Sequence, residues 1–313
     1  MPSLRAEGTL EPCGSGVSQF SGVFGGFRHY RERVIARLVH ISRPLLWVNT
    51  IGSTVVGLWL TGDLWRWEVL PLLLWASLPF NLLIYGVNDI FDQETDARNA
   101  RKGGVEGARI VATESRGIAL AIVLLNLPFL VYFALTMPVD ALAWVAAYVL
   151  VFVFYSAPPL RFKARVVLDA LSNAAYAFPL VFVPLALGEA PIWVAALALM
   201  AWSVAKHTYD AIQDIEEDRQ VGIRTTAVML GARGALIWSA VWWALATIAF
   251  AFISWPVALA NALIAGWLVV GLWRDCTTAR ARALYRYSIA FPYVAGSVAG
   301  SHLVAAILLG QLT

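Results

Sequence analysis

Asn88-Asp89-Ile90-Phe91-Asp92-Gln93-Glu94-Thr95-Asp96 ends a long apolar run in a burst of acid, and Asp210-Ala211-Ile212-Gln213-Asp214-Ile215-Glu216-Glu217-Asp218 ends another. Carboxylates at the edge of a hydrophobic span are costly, so two such clusters read as functional sites. What they imply depends on the apolar runs behind them.

Of 313 residues, 60% are hydrophobic and 14% charged, so lipid must serve as solvent for most of the chain. Apolar runs long enough to cross a bilayer number about nine. They lie near 42–61, 70–91, 116–137, 140–157, 168–188, 191–213, 235–254, 256–273 and 287–310. Period-two alternation is absent and the runs are too long for barrel strands. The expected fold class is therefore an all-α polytopic membrane bundle. Its domain covers residues 28–313, behind a glycine-rich flexible tail at 1–27 that lacks the basic start and apolar centre of a signal peptide.

Basic residues gather in alternate connections: Arg28 to Arg43 before the first run, Arg98 to Arg116 after the second, Arg161 to Arg165 after the fourth, Arg219 to Arg233 after the sixth and Arg274 to Arg286 after the eighth. The opposite connections hold only Arg66. The positive-inside rule then puts the N-terminus and both acidic clusters in the cytoplasm and the C-terminus outside. A net charge of +3 spread over one face suits anionic headgroups and calls for no nucleic acid. Cys13 and Cys276 stand far apart, without metal-ligand spacing.

At about 100° per residue, Asp89, Asp92 and Asp96 fall within roughly a 60° arc of one helix face, and Asp210, Asp214 and Asp218 within about 80°. Carboxylates so crowded repel unless cations neutralise them. Short hard-oxygen ligands match Mg²⁺, held by one or two carboxylates while substrate phosphates and water complete its shell. Glu94 points away as a solvated charge, whereas Asn88 is placed to donate to phosphate oxygens. In the first span Asn49 serves either a site or helix-to-helix bonding, both open at this stage. The glycine-rich loop Arg98-Asn99-Ala100-Arg101-Lys102-Gly103-Gly104 suits a cap over the site. Pro158 and Pro159 stop the fourth span and present Arg161 and Lys163 on the acidic side. Lys206 shares a face with Asp210, and Arg224 looks poised for phosphate. His207 reads as packed, because no second His stands at metal spacing. Asn173 and Tyr176 face a cavity or a neighbouring helix. The tryptophans of the last three spans, from Trp238 to Trp273, read as interfacial belts or packing.

Two acidic stripes at one depth beside basic loops suit a metal-bound diphosphate next to a lipid-facing cavity, and hence ionisation of an allylic diphosphate. These residues resemble the UbiA-like intramembrane prenyltransferase superfamily. Asn88, Asp89, Asp92 and Asp96 match its first motif, and Asp210, Asp214 and Asp218 its second. The resemblance implies a UbiA-like bundle of nine helices in which all six aspartates hold Mg²⁺. Asp89, Asp92, Asp210 and Asp214 are then the catalytic core. Asn49, Asn88, Arg98, Arg101, Lys102, Arg161, Lys163 and Arg224 are the candidate diphosphate contacts. Asn-Asp-Ile-Phe-Asp, with Asp-Ile-Glu-Glu-Asp-Arg and Gly-Ile-Arg-Thr-Thr-Ala, is similar to the lycopene elongase branch of C50 carotenoid synthesis. That implies a bacterial cell-membrane enzyme moving dimethylallyl groups from dimethylallyl diphosphate to lycopene, with the resulting cation deprotonated or hydrated. A quinone precursor or another aromatic or tetrapyrrole acceptor is the alternative. A cation transporter is remote, since its acids would recur at several depths.

Overall fold

The computed structural model describes residues 32–62, 66–93 and 109–310. The tail at 1–27, Glu94, Asp96 and the loop residues Arg98, Arg101 and Lys102 lie outside them. Among the described residues every regular element is a helix.

Residues 32–41 form α1. Arg43 then takes a left-handed conformation (φ 53°), which turns the chain into a 3-10 turn at Pro44–Leu46. Pro44 sits at the start of that turn, where its missing N–H costs nothing. Helix α2 (Val48–Thr61) follows and ends at Gly62, whose φ of 78° suits a residue without Cβ.

The second predicted span is interrupted. Helix α3 (Leu70–Ala76) and α4 (Leu78–Phe91) meet at Ser77, because Pro79 cannot donate into the helix ladder and its ring crowds the preceding turn. Asn81 satisfies the carbonyls that the break strands: its Nδ2 donates to Ala76 O, Ser77 O and Thr50 Oγ1, each at 2.8 Å. Asn126 accepts from Trp75 Nε1 and donates to Pro79 O, so the break is tied to the next helix as well.

Helices α5 (Ala112–Thr136) and α6 (Val139–Ser156) form a hairpin, and α6 ends before Pro158 as its prolines require. The fifth span consists of α7 (Leu168–Leu171), a 3-10 stretch at Ser172–Ala177 and α8 (Pro179–Ala186). Helix α9 (Trp193–Ala211) passes through a 3-10 turn at Ile212–Asp214 into α10 (Ile215–Gln220). Three long helices finish the chain: α11 (Thr226–Ala251), α12 (Trp255–Trp273) and α13 (Thr278–Leu308). Gly231, with φ 67° and ψ 169°, breaks the first turns of α11 from the rest.

Eight helical stretches among the described residues are long and apolar enough to cross a membrane. Of the nine expected, the sixth falls short. It is present as α9, but its last turns carry Lys206, His207, Thr208, Tyr209 and Asp210. The packing has two aromatic cores, with a smaller aliphatic cluster of Leu180, Val181, Ala195 and Ala196 between α8 and α9. One gathers Trp75, Phe80, Tyr148, Phe152 and Phe182 from α3, α4, α6 and α8, with Phe80 and Tyr148 stacked at 4.3 Å. The other gathers Trp202, Tyr209, Trp243 and Phe291 from α9, α11 and α13. Trp243 is thus core, whereas Trp255, Trp267 and Trp273 are exposed on the apolar exterior.

Candidate functional site

The first acidic motif lies at the end of α4, where the helix stops at Phe91. Asp89, still inside the helix, is 1% exposed and takes a 2.7 Å bond from Arg43 Nη2. The left-handed turn at Arg43 aims its guanidinium inward, over the Tyr85 ring at 4.6 Å. Asp92 caps the helix and pairs with Lys163 Nζ, while Arg161 Nη2 stands 4.0 Å away. Both cations come from the turn that Pro158 and Pro159 impose after α6. Asn88 Oδ1 accepts from Ser156 Oγ at 2.9 Å, joining the two helix ends.

The second motif straddles the change from α9 through the 3-10 turn to α10, so its aspartates do not share one continuous helix face as simple periodicity implies. Asp210 remains on α9, held by Lys206 Nζ at 2.5 Å and by Ser288 Oγ from α13. Asp214 ends the 3-10 turn. Asp218 lies on α10, where Thr225 Oγ1 donates to it at 3.4 Å. Burial, reinforced by the neighbouring Asp214 carboxylate, pushes Asp218 up to about 7. Glu217 is drawn outward to Arg282 Nη2 at 2.6 Å.

Both motifs open on one cavity of about 710 Å³ between the two cores. Asn49, Asn88, Asp92, Lys163, Asp210, Asp214 and Asp218 all line it, together with Lys206. Away from this polar end the wall is apolar and aromatic, with Trp59, Phe152, Trp202, Phe250 and Ile253 among its residues. Asn49 thus lines the cavity, and its side chain also bonds Tyr85 of α4. Asn173 and Tyr176 line the cavity as well.

Three predicted positions are placed differently. Asp89 is withdrawn from the cavity wall, because the Arg43 ion pair holds it within the protein. Arg161 stands behind Lys163, at the edge of Asp92, and is also absent from the wall. Arg224 is exposed and lies outside the lining, since the extended stretch before Thr225 turns it outward.

Two residues escaped sequence reasoning. Arg43 entered only among the basic residues before the first run, yet it pairs with Asp89 of the first motif. Asp169, in an otherwise apolar span, is 1% exposed and ties α7 to α11: it accepts from Thr226 N at 2.9 Å and from Thr226 Oγ1. Its Oδ2 also lies 4.0 Å from His207 Nε2, and His207 meets the Tyr155 ring edge-on. A lone acid inside a span was the available signal for Asp169.

Comparison with known proteins agrees with this geometry. Residues 50–307 match the model of the UbiA prenyltransferase family. A lycopene elongase/hydratase of Haloferax volcanii is 37% identical over 244 residues, covering 75% of this chain and 79% of the relative. That of Haloarcula japonica is 35% identical over 229 residues, covering 72% and 77%. Among solved structures, a UbiA homologue from Aeropyrum pernix K1 superimposes with a TM-score of 0.61 at 18% identity, covering 82% of this chain and 98% of the other. One from Archaeoglobus fulgidus, bound to DMAPP and Mg²⁺, gives 0.57 at 18% identity over 84% of this chain and 98% of the other. The shared fold, the extent of the match and the two acidic motifs meeting at one cavity agree: this chain belongs to the UbiA prenyltransferase family.

Proposed function

We propose that the protein transfers dimethylallyl groups from dimethylallyl diphosphate to the ends of lycopene in a Mg²⁺-dependent reaction. The observation that carries the reading is the single cavity with aspartates and lysines from both motifs at one end and apolar walls beyond. The relatives named lycopene elongase/hydratase support the acceptor.

The donor set fits a hard divalent cation, because Asp92, Asp210, Asp214 and Asp218 offer only oxygen. Among the described residues no three His, Cys, Asp or Glu side chains gather closely enough to hold a metal by themselves. Such a site suits Mg²⁺, which keeps water and phosphate oxygens in its shell. When bound, the ion supplies charge neutralisation for the departing diphosphate.

The chain's own residues do the rest. Lys163 and Lys206, now on Asp92 and Asp210, are close enough to turn to diphosphate oxygens, and Asn49 and Asn88 offer amide donors. Ionisation leaves an allyl cation facing aromatic rings, whose negative faces stabilise it. Trp202, Tyr176 and Tyr155 line the cavity for this purpose. The apolar wall excludes water while the acceptor alkene attacks.

The six aspartates act together in this reading, with Asp89 serving through its pair with Arg43 and Asp96 completing the first motif. Arg98, Arg101 and Lys102 cap the diphosphate, and Arg161 and Arg224 act from the rim. In this reading the enzyme sits in a bacterial cell membrane with its acidic end cytoplasmic, an orientation that the positive-inside pattern supports.

Expression in a lycopene-producing host, followed by pigment mass analysis, tests this. Gain of one or two C5 units is expected, and unchanged lycopene would favour an aromatic acceptor.

A further inference from the structure

Deeper in the cavity, a buried amide stands in the wall. Asn261 of α12 is 1% exposed and lines the cavity. Its Nδ2 donates to Thr247 Oγ1 at 2.7 Å and to the Trp243 backbone oxygen at 3.3 Å. Since that carbonyl can only accept, the amide orientation is fixed. Oδ1 is left buried without a hydrogen-bond partner. A buried acceptor so placed calls for a donor supplied by whatever fills the cavity, at a cost of about 1–3 kcal/mol if none comes.

The depth of this acceptor follows from two registers. Tyr209, beside Asp210, donates to the Leu268 carbonyl of α12 at 3.2 Å. Ser288 of α13 bonds Asp210, and α13 packs against α12 where Leu284 meets Gly271. Both put Asp210 level with residues 267–268, so Asn261 lies about 10 Å below the carboxylates. A five-carbon group hanging from a diphosphate at the acidic end would put the acceptor's reacting terminus between the two. Ser203, two turns before Asp210 on α9, also lines the cavity and offers a second polar group at that depth. Lycopene and the prenyl chain carry no O–H, so neither can satisfy Asn261. Water can.

We propose that Asn261 holds the water that captures the tertiary cation left on the acceptor after the new C–C bond forms, and so directs the reaction toward a hydroxylated product. The inference rests on the function proposed above and adds the fate of the last cation. Asn261 Oδ1 accepts a hydrogen bond from that water, leaving an oxygen lone pair free to form the C–O bond. The resulting oxonium loses a proton to the diphosphate just released. The competing outcome is loss of a proton from the neighbouring carbon, giving an alkene without added oxygen.

The experiment uses membranes containing the full chain, with lycopene, dimethylallyl diphosphate and Mg²⁺ in water labelled with heavy oxygen. It reads the share of C5-extended product that carries the label. The wild type should give labelled hydroxyl groups. Asn261→Leu should lower that share about tenfold among whatever extended product forms, and Thr247→Val, which leaves the amide held only by its longer bond to the Trp243 carbonyl and so loosens its aim, should lower it severalfold. If Asn261→Leu gives no extended product, the Thr247→Val share decides. An unchanged share in the deciding variant overturns the proposal, as does wild-type extension without label, although the latter leaves the elongase reading intact. No extension of lycopene by the wild type would defeat both.

Discussion

Asp89 and Asp92 stand three positions apart on one helix end, but their surroundings give them different work. Asp89 is sealed against Arg43, and truncating one partner of such a buried pair strands the other charge. Arg43→Ala should therefore destabilise the fold by about 3–5 kcal/mol, measurable as a lowered unfolding midpoint in detergent. Asp92 faces the cavity. Asp92→Ala should leave that midpoint close to wild type while turnover falls about a hundredfold or more; the same is expected of Asp214→Ala. If Arg43→Ala melts like the wild type, Asp89 is not held as described. The position of both aspartates at the end of the second span was legible in the sequence, because acid beside an apolar run stands out. Their division of labour was not, since it depends on a left-handed turn at Arg43 that no periodicity encodes.

The elements that carry the site are helices that stop or break. Pro79 splits the second span, the 3-10 turn at Ile212–Asp214 separates Asp210 from Asp218, and Gly231 separates the first turns of α11 from its body. Uniform helical arithmetic located the acidic clusters but treated the second as one stripe, an error that a single 3-10 turn suffices to create. Gly231 takes a φ of 67° and a ψ of 169° at its boundary. A Cβ there meets nothing within 4 Å, so any penalty comes from the backbone. Gly231→Ala should cost about 1–3 kcal/mol, read as a lower unfolding midpoint, whereas an unchanged midpoint would show that the turn relaxes freely. Asp169 bears on the same region. Its bonds to Thr226 pin the start of α11, which follows α10 and Asp218, yet the partner lies 57 positions away. Such a pairing is invisible to any local pattern.

At the scale of the whole molecule, two aromatic cores flank a cavity whose polar end is built from α4, α9, α10 and the turn after α6. Hydropathy alone gave the helices and their order, because a bilayer-spanning segment must satisfy its backbone internally. The sixth span's shortfall in apolar character follows in part from the site, since Lys206, His207 and Asp210, which lower the hydropathy of α9, line the cavity. Chelation of divalent cations should abolish prenyl transfer, with Mg²⁺ restoring it; activity persisting in excess chelator would remove the metal from the mechanism.

The lysine–aspartate pairs have a thermodynamic corollary. With Lys163 on Asp92 and Lys206 on Asp210, a metal ion arriving alone must displace an ammonium from its carboxylate, and a diphosphate arriving alone must draw the same ammonium away. When both arrive, each exchange completes the other. Binding of Mg²⁺ and of the diphosphate should accordingly be positively coupled, with each raising the other's affinity by about 5–150-fold. Titration calorimetry with Mg²⁺ and a non-ionisable diphosphate analogue, separately and then in sequence, would measure that factor. Lys163→Met and Lys206→Met should shrink it, so that the protein ceases to act as an AND gate for its two small ligands.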